Sequence, residues 1–316
     1  MNYKKSLSTL VSIFTLFVAT HAQYPGKNEY KELLNGAVDM HIHSAPDAFD
    51  RSLNDIDLAR LAKKEGFRAV VIKNHVSSTA GRAELVNSEV SGIRVYGGIA
   101  LNRAVGGINP EAVSWMTRMS PEYGKMVWFP TFDAAHHKKQ YEQEGDGITI
   151  LAKGKLKPEV LEVLKIIKDN DLILATGHLS PGEVKELVDK AREMDIQKIM
   201  VTHAIADTPE MGMQQMKELA AQGAFIELTY LSYLSGPQAP LAFLQASKHV
   251  SIEQMKQVIK ELGAEHVIIS TDLGQSGNAI APDGLKNFVK LLIAAGISEQ
   301  EIATMIKQNP YKLLGL

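Results

Sequence analysis

AVDMHIHSAPDAFDRSLNDIDLARLAKKEGFRAVVIKNH, residues 37–75, holds one complete unit of the pattern from which the fold is read. Its ends, AVDMHIH and RAVVIKNH, are short runs dominated by apolar and β-branched residues. Between them DLARLAKKEG repeats apolar positions at helical spacing and closes on a glycine, the usual exit from a helix. Strand, helix and strand in so short a stretch make a βαβ unit, whose strands run parallel.

The unit repeats outward from this stretch. Further β-rich runs are RVYGGIAL (94–101), KMVWFPTF (125–132), LILATGH (172–178), KIMVTHA (198–204), AFIELTY (224–230) and HVIISTD (266–272). Helical segments lie between them, such as EVLEVLKIIKDN, EVKELVDKAREM and IEQMKQVIKELG, and two more, GLKNFVKLLIAAG and EQEIATMIKQN, follow the last run. Ser180, Ser251 and Ser298 each precede a Glu or Gln by three residues, the capping-box spacing. Asn109-Pro110 and Thr208-Pro209 show a cap followed by a proline suited to the first helical position. The strands are almost continuously apolar, as parallel strands covered on both faces must be. Eight such units without a glycine-rich phosphate loop predict a single-domain (β/α)₈ barrel, of the TIM type, rather than a doubly wound open sheet. Two connections are long, 133–157 and the one after AFIELTY, and read as lids or binding elements.

Composition narrows the function. Of 316 residues, 45% are hydrophobic and 22% charged, which is ordinary for a globular protein. The formal net charge is −2 with no basic block, which argues against nucleic acid as a partner. There is no cysteine, so disulfides and thiolate metal sites are excluded. Lys4 and Lys5, the apolar stretch 7–18 and Thr20-His21-Ala22 read as a signal peptide, residues 1–22, cleaved before Gln23. The stretch is too short to span a bilayer, so no membrane span is expected after cleavage, and a periplasmic or secreted location is. The barrel domain is then 23–316. Oligomeric state is not legible, and a homo-oligomer stays open.

In a (β/α)₈ barrel the active site forms at the C-terminal ends of the strands. His41 and His43 close the first run, Lys73 and His75 the second, His178 the fifth, His203 the sixth and Asp272 the eighth. His41 and His43 are two apart and face the same way. Several imidazoles, an ammonium and a carboxylate crowded into one mouth are costly to desolvate unless they hold a divalent ion, and imidazole with carboxylate suits Zn²⁺.

This ordered set, Asp39-x-His41-x-His43, then TGH at His178, VTHA at His203 and STD at Asp272, resembles the amidohydrolase superfamily of metal-dependent hydrolases over nearly the whole mature chain. VDMHIHSAPD and AVVIKNH look closest to an uncharacterised amidohydrolase-related subfamily, which names no substrate. The resemblance implies one or two divalent ions. It implies that His41, His43 and Asp272 hold the more buried one, with His178 and His203 on a second ion or on the substrate side. It implies that Asp272 is the general base and acid that moves the proton of the attacking water. The implied activity is hydrolysis of a small amide, lactone or ester. The superfamily's strand-four lysine or glutamate is missing here, since MVWFPTFD offers only Thr131 and Asp133 at that end.

Lys73 has three readings: a carbamylated bridge between two ions, an ammonium that acts in catalysis or on substrate, and a structural lysine neutralised by Asp39 or another barrel carboxylate. His75 reads as an extra ligand or a substrate contact. Asp39 is expected a layer below His41, orienting its ring. Glu227 is expected to face the barrel as a buried ion-pair partner. His136 and His137, in the long connection after the fourth run, read as solvated loop residues, with reaching in over the site as the alternative. Thr79 and Arg82, near a helix start, are placed to meet an anion. Two other functions stay open, a single-ion decarboxylase or lyase and a non-catalytic metal- or ligand-binding barrel. The intact Asp272 argues against the last, because binding alone needs no base.

Overall fold

The computed structural model describes residues 30–316. The expected leader, 1–22, lies outside them. The eight runs form eight strands: β1 (Val38–His43), β2 (Ala69–Lys73), β3 (Arg94–Ala100), β4 (Gly124–Trp128), β5 (Ile173–Ala175), β6 (Ile199–Val201), β7 (Phe225–Thr229) and β8 (Val267–Ser270). They pair in that order and all in parallel. The exit of β8 closes onto β1 through Asp272 N donating to His41 O at 2.8 Å and His43 N donating to Leu273 O at 2.7 Å. Closure removes the sheet edges that would otherwise leave backbone groups unpaired. This is the (β/α)₈ barrel expected.

Helices cover the outside of the sheet, for example Asp55–Lys64, Pro158–Asp169, Pro181–Glu193 and Ile252–Leu262. Their apolar stripes pack against the outward strand residues, such as Ile72, Leu174 and Ile269. A second cluster fills the barrel interior, with Val38, Met40, Val71, Met126, Trp128 and Met200. All three capping boxes form, at Ser180, Ser251 and Ser298, and each contributes about 1 kcal/mol. Asn109 caps Pro110–Met119 as expected. Thr208-Pro209 does not start a helix. It lies in a turn, and the next helix, Met213–Ala221, begins only after Gly212. The final helical run reaches Leu314 and passes through a wide turn over Thr304–Gln308, just before Pro310, which has no N–H to donate.

The two long connections are built, not slack. The first carries the helix Ala135–Gln140 and a hairpin, 151–156. Tyr141 Oη donates to Asp207 Oδ2 and bonds Ser247 Oγ, both at 3.1 Å. Lys248 N donates to the same Asp207 oxygen at 2.8 Å. The connections after β4, β6 and β7 are thereby tied together at the mouth. Among the described residues no helix is long and apolar enough to cross a membrane.

Candidate active site

Strict alternation along β1 would put His41 and His43 on the face opposite Val38 and Met40. A bulge between Asp39 and Ile42 prevents this. Val38 and Met40 stay in the interior cluster, Ile42 turns out toward the helices, and both histidines point into the mouth. Bulges re-aim side chains in this way beside functional sites. Asp39, between two inward residues, faces away from the ring of His41. It accepts from Thr271 Oγ1 at 2.6 Å, Thr271 N at 3.1 Å and His41 N at 3.2 Å. It stitches β1 to the exit of β8. It does not bond the His41 ring, contrary to expectation, and the carboxylates that act on Lys73 are Asp272 and Glu227.

Glu227 on β7 orients that ring instead. His41 Nδ1 lies 3.1 Å from Glu227 Oε1, while Glu227 also accepts from His203 N at 2.9 Å and from Ser270 Oγ. A carboxylate on Nδ1 fixes the proton there and leaves Nε2 facing the mouth. Nε2 lies 3.0 Å from Asp272 Oδ1 and 2.9 Å from Lys73 Nζ. His43 Nε2 reaches the same Asp272 oxygen at 3.1 Å. Ligand atoms of His41, His43 and Asp272 all lie within 4.8 Å of one another.

Backbone geometry enforces this convergence. Asp272 and His203 have φ of +55° and +28°, a left-handed conformation that costs on the order of 1–3 kcal/mol outside glycine. The Asp272 N and His203 N bonds already described hold them in it. Gly274 lies against His43: a Cβ there would sit 1.8 Å from the His43 carbonyl oxygen. Gly177, with φ of +62°, lets the chain before His178 press on β4, where a Cβ would meet the Phe129 carbonyl at 2.2 Å.

Electrostatics follow from burial and charge. Burial works to raise the Asp272 carboxyl, but His41 and the two imidazole hydrogen bonds outweigh it and hold it well below the usual carboxylate range. Burial also opposes a charge on His41, yet Asp272 and Glu227 push it up to about 9. Burial lowers Lys73 to about 8, His43 to about 3 and His203 to about 4, and takes His178 well below its ordinary value. Lys73 is 1% exposed and its Nζ lies 5.5 Å from the centre of the Trp128 ring.

His178 and His203 join the same mouth, with ring centres 4.9 Å apart, and His203 lies 6.0 Å from His41. His137 corrects the expectation of a solvated loop residue: it is buried, and its Nδ1 lies 2.8 Å from His178 Nδ1. Helix Ala135–Gln140 turns it inward, which the run HHKKQ gives no sign of. His75 stacks on His43, with ring centres 4.8 Å apart. Arg82 is held by Asp55 at 2.7 Å and by Ser44 O at 2.9 Å through Nε and Nη2, which leaves its buried Nη1 without a partner. Thr79 Oγ1 likewise donates to Ile72 O. Arg51 and Asp47 carry no sequence signal. Arg51 Nε donates to Asp47 at 2.7 Å and its Nη2 lies 3.3 Å from His43 Nδ1.

The donor set fits a divalent cation. Two imidazole Nε2 atoms and a carboxylate converge, and His203 Nδ1 is buried without a partner.

Residues 36–227 match the model of a family described as "Family of unknown function (DUF6282)". That span carries the site residues from His41 to Glu227 but not Asp272. No curated protein matches the chain. Its fold is similar to that of an amidohydrolase from Pseudomonas aeruginosa, 12% identical with a TM-score of 0.59, over 90% of this chain and 97% of that one. It is similar to the probable dipeptidase PvdM from Pseudomonas aeruginosa, 12% identical with a TM-score of 0.62, over 91% and 96%. It is also similar to a putative 2-pyrone-4,6-dicarboxylic acid hydrolase from Pseudomonas putida, 15% identical with a TM-score of 0.60, over 89% and 97%.

Proposed function

Because the chain belongs to the DUF6282 family, whose description assigns no chemistry, we propose its activity from the geometry: metal-dependent hydrolysis of a small amide, lactone or ester. The observation that carries this is the convergence of His41, His43 and Asp272 within 4.8 Å at the mouth of the barrel. The names of the similar structures, an amidohydrolase, a probable dipeptidase and a hydrolase, support the same reaction class.

His41, His43 and Asp272 would hold the ion, Zn²⁺ by the imidazole-rich donor set. His178 and His203 face the substrate side, where a second ion would lie if the chain takes two. When bound, the cation lowers the pKa of water to about 7 and polarises the attacked oxygen. The protein does the rest. Glu227 keeps His41 Nε2 directed at the mouth. Asp272, ionised at neutral pH, takes the proton from the attacking water and passes it to the leaving group. Lys73 places a positive charge beside His41 and the reacting centre.

A second reading is a single-ion decarboxylase or lyase. It is favoured by the end of β4, where the buried Trp128 is followed by Thr131 and Asp133 and by no lysine or glutamate that could bridge two ions. Metal content per purified chain, with a panel of γ-butyrolactone, N-acetyl-L-alanine, L-alanyl-L-alanine, a phosphotriester and aromatic carboxylic acids, separates the two. Hydrolysis of the first substrates supports the proposal, release of CO₂ from the acids supports the second reading, and no bound metal defeats both. A carbamate on Lys73 would show as a ¹³C signal after exposure to ¹³CO₂. We further propose export on the leader over 1–22, for which a mature N-terminus at Gln23 is the test.

A further inference from the structure

We infer that His75 acts as a neutral hydrogen-bond donor to the substrate oxygen that gains charge in the reaction, and not as a metal ligand. This inference rests on the catalytic reading of the mouth given above. It comes from a chain of hydrogen bonds that fixes which ring nitrogen of His75 carries the proton.

The chain starts at Asn102, buried just after β3. Its Oδ1 accepts from two backbone N–H groups, Thr131 N at 2.8 Å and Asp133 N at 3.3 Å. Backbone N–H groups only donate, so the orientation of the amide is settled and Nδ2 must donate. It does so to His75 O at 2.9 Å and to Thr131 Oγ1 at 2.6 Å. Thr131 is wholly buried, and its hydroxyl bonds one other group, His75 Nδ1, at 2.8 Å. A buried hydroxyl left with no acceptor for its hydrogen costs about 1–3 kcal/mol. The Thr131 hydroxyl, already accepting from Asn102, therefore donates to His75 Nδ1.

Nδ1 is thus an acceptor, and the proton of the neutral ring sits on Nε2. Nε2 bonds no described residue and is not among the sealed atoms that lack a partner. The ring is clamped in plane by His43, with ring centres 4.8 Å apart at 17°, and by Phe132, with ring centres 3.8 Å apart at 18°. A nitrogen that carries a proton cannot also give its lone pair to a metal. A fixed N–H beside His43 can instead meet a polarised carbonyl oxygen, a role in which one donor is worth about 10²–10³ in kcat.

The test is long-range ¹H–¹⁵N NMR on the full chain loaded with ¹¹³Cd²⁺, with His75 assigned through His75→Ala. The expected result is a protonated Nε2, an acceptor Nδ1, and ¹¹³Cd coupling to His41 and His43 but not to His75. Coupling at His75, or a proton on its Nδ1, overturns the inference while leaving the metal centre standing. Coupling at none of the three defeats the metal centre, and the protonation pattern of His75 still decides the inference. Thr131→Val should free the ring to exchange its proton between the two nitrogens, and Thr131→Ser should restore the original pattern. On a substrate from the panel, His75→Ala should lower kcat about 100-fold with metal content unchanged, and Thr131→Val should lower kcat without raising KM. An unchanged kcat in His75→Ala also overturns the inference.

Discussion

Glu227→Gln is the sharpest probe of the metal centre. In the wild-type protein the carboxylate takes the proton on His41 Nδ1 at 3.1 Å, the backbone N–H of His203 at 2.9 Å and the Ser270 hydroxyl. A glutamine with its oxygen at the Oε2 position keeps the volume and the bond from His203 N, while its amide nitrogen takes the Oε1 position against Ser270 Oγ and His41 Nδ1. What it loses is the negative charge, and its amide can turn a donor toward His41. That removes the force holding the Nδ1 proton in place, so Nε2 is no longer presented to the ion as a free lone pair. Loss of such an outer partner typically weakens metal affinity about 10–100-fold, or about 1.4–2.8 kcal/mol at 1.4 kcal/mol per tenfold. Competition of Zn²⁺ between the protein and a fluorescent chelator at constant pH reads this directly. A far-ultraviolet circular dichroism spectrum should confirm that the barrel is intact. Ser270→Ala, which leaves the charge, should change affinity several-fold less. A Glu227→Gln protein that is folded and binds Zn²⁺ as tightly as wild type would refute the reasoning, because His41 would then not be the ligand that Glu227 prepares.

Asp272→Asn should abolish turnover by at least about 10²–10⁴-fold, measured on whichever panel substrate the wild type cleaves; residual activity near wild type would remove Asp272 as the base. Stripping the metal should lower the melting temperature: at 100 times Kd an ion stabilises by about 2.7 kcal/mol, roughly 5 °C for a chain of this size, and EDTA scans that coincide with zinc scans would contradict it. Gly274→Ala pushes a Cβ to 1.8 Å from the His43 carbonyl and should cost at least about 2 kcal/mol in urea unfolding, with metal affinity lost in parallel.

Much of the barrel was legible because its cause is local. Hydrophobic runs of strand length, helical periodicity and capping boxes such as Ser251 with Gln254 each act within a few residues, and all three boxes form. The candidate ligands were legible for the same reason: each stands at the end of an apolar run. Expectations failed where position depends on a distant segment. Asp39 looked like a partner for the His41 ring, but it alternates away between Val38 and Met40 and bonds Thr271, more than two hundred residues along the chain, while the bulge beyond it turns the histidines inward. His137 read as a solvated residue because nothing nearby shows that its short helix folds over His178. Arg82 looked free to meet an anion until Asp55, on another helix, claimed it.

By itself the sequence determined the number and order of strands, their parallel pairing and that His41, His43 and Asp272 close apolar runs, because apolar runs, helical periodicity and capping are encoded between near neighbours. Only the closed barrel decided which carboxylate serves which imidazole, which ring nitrogen carries a proton and which loops fold over the site. Those outcomes depend on distances across the ring, where one bulge or one buried hydrogen bond reverses the direction a side chain faces.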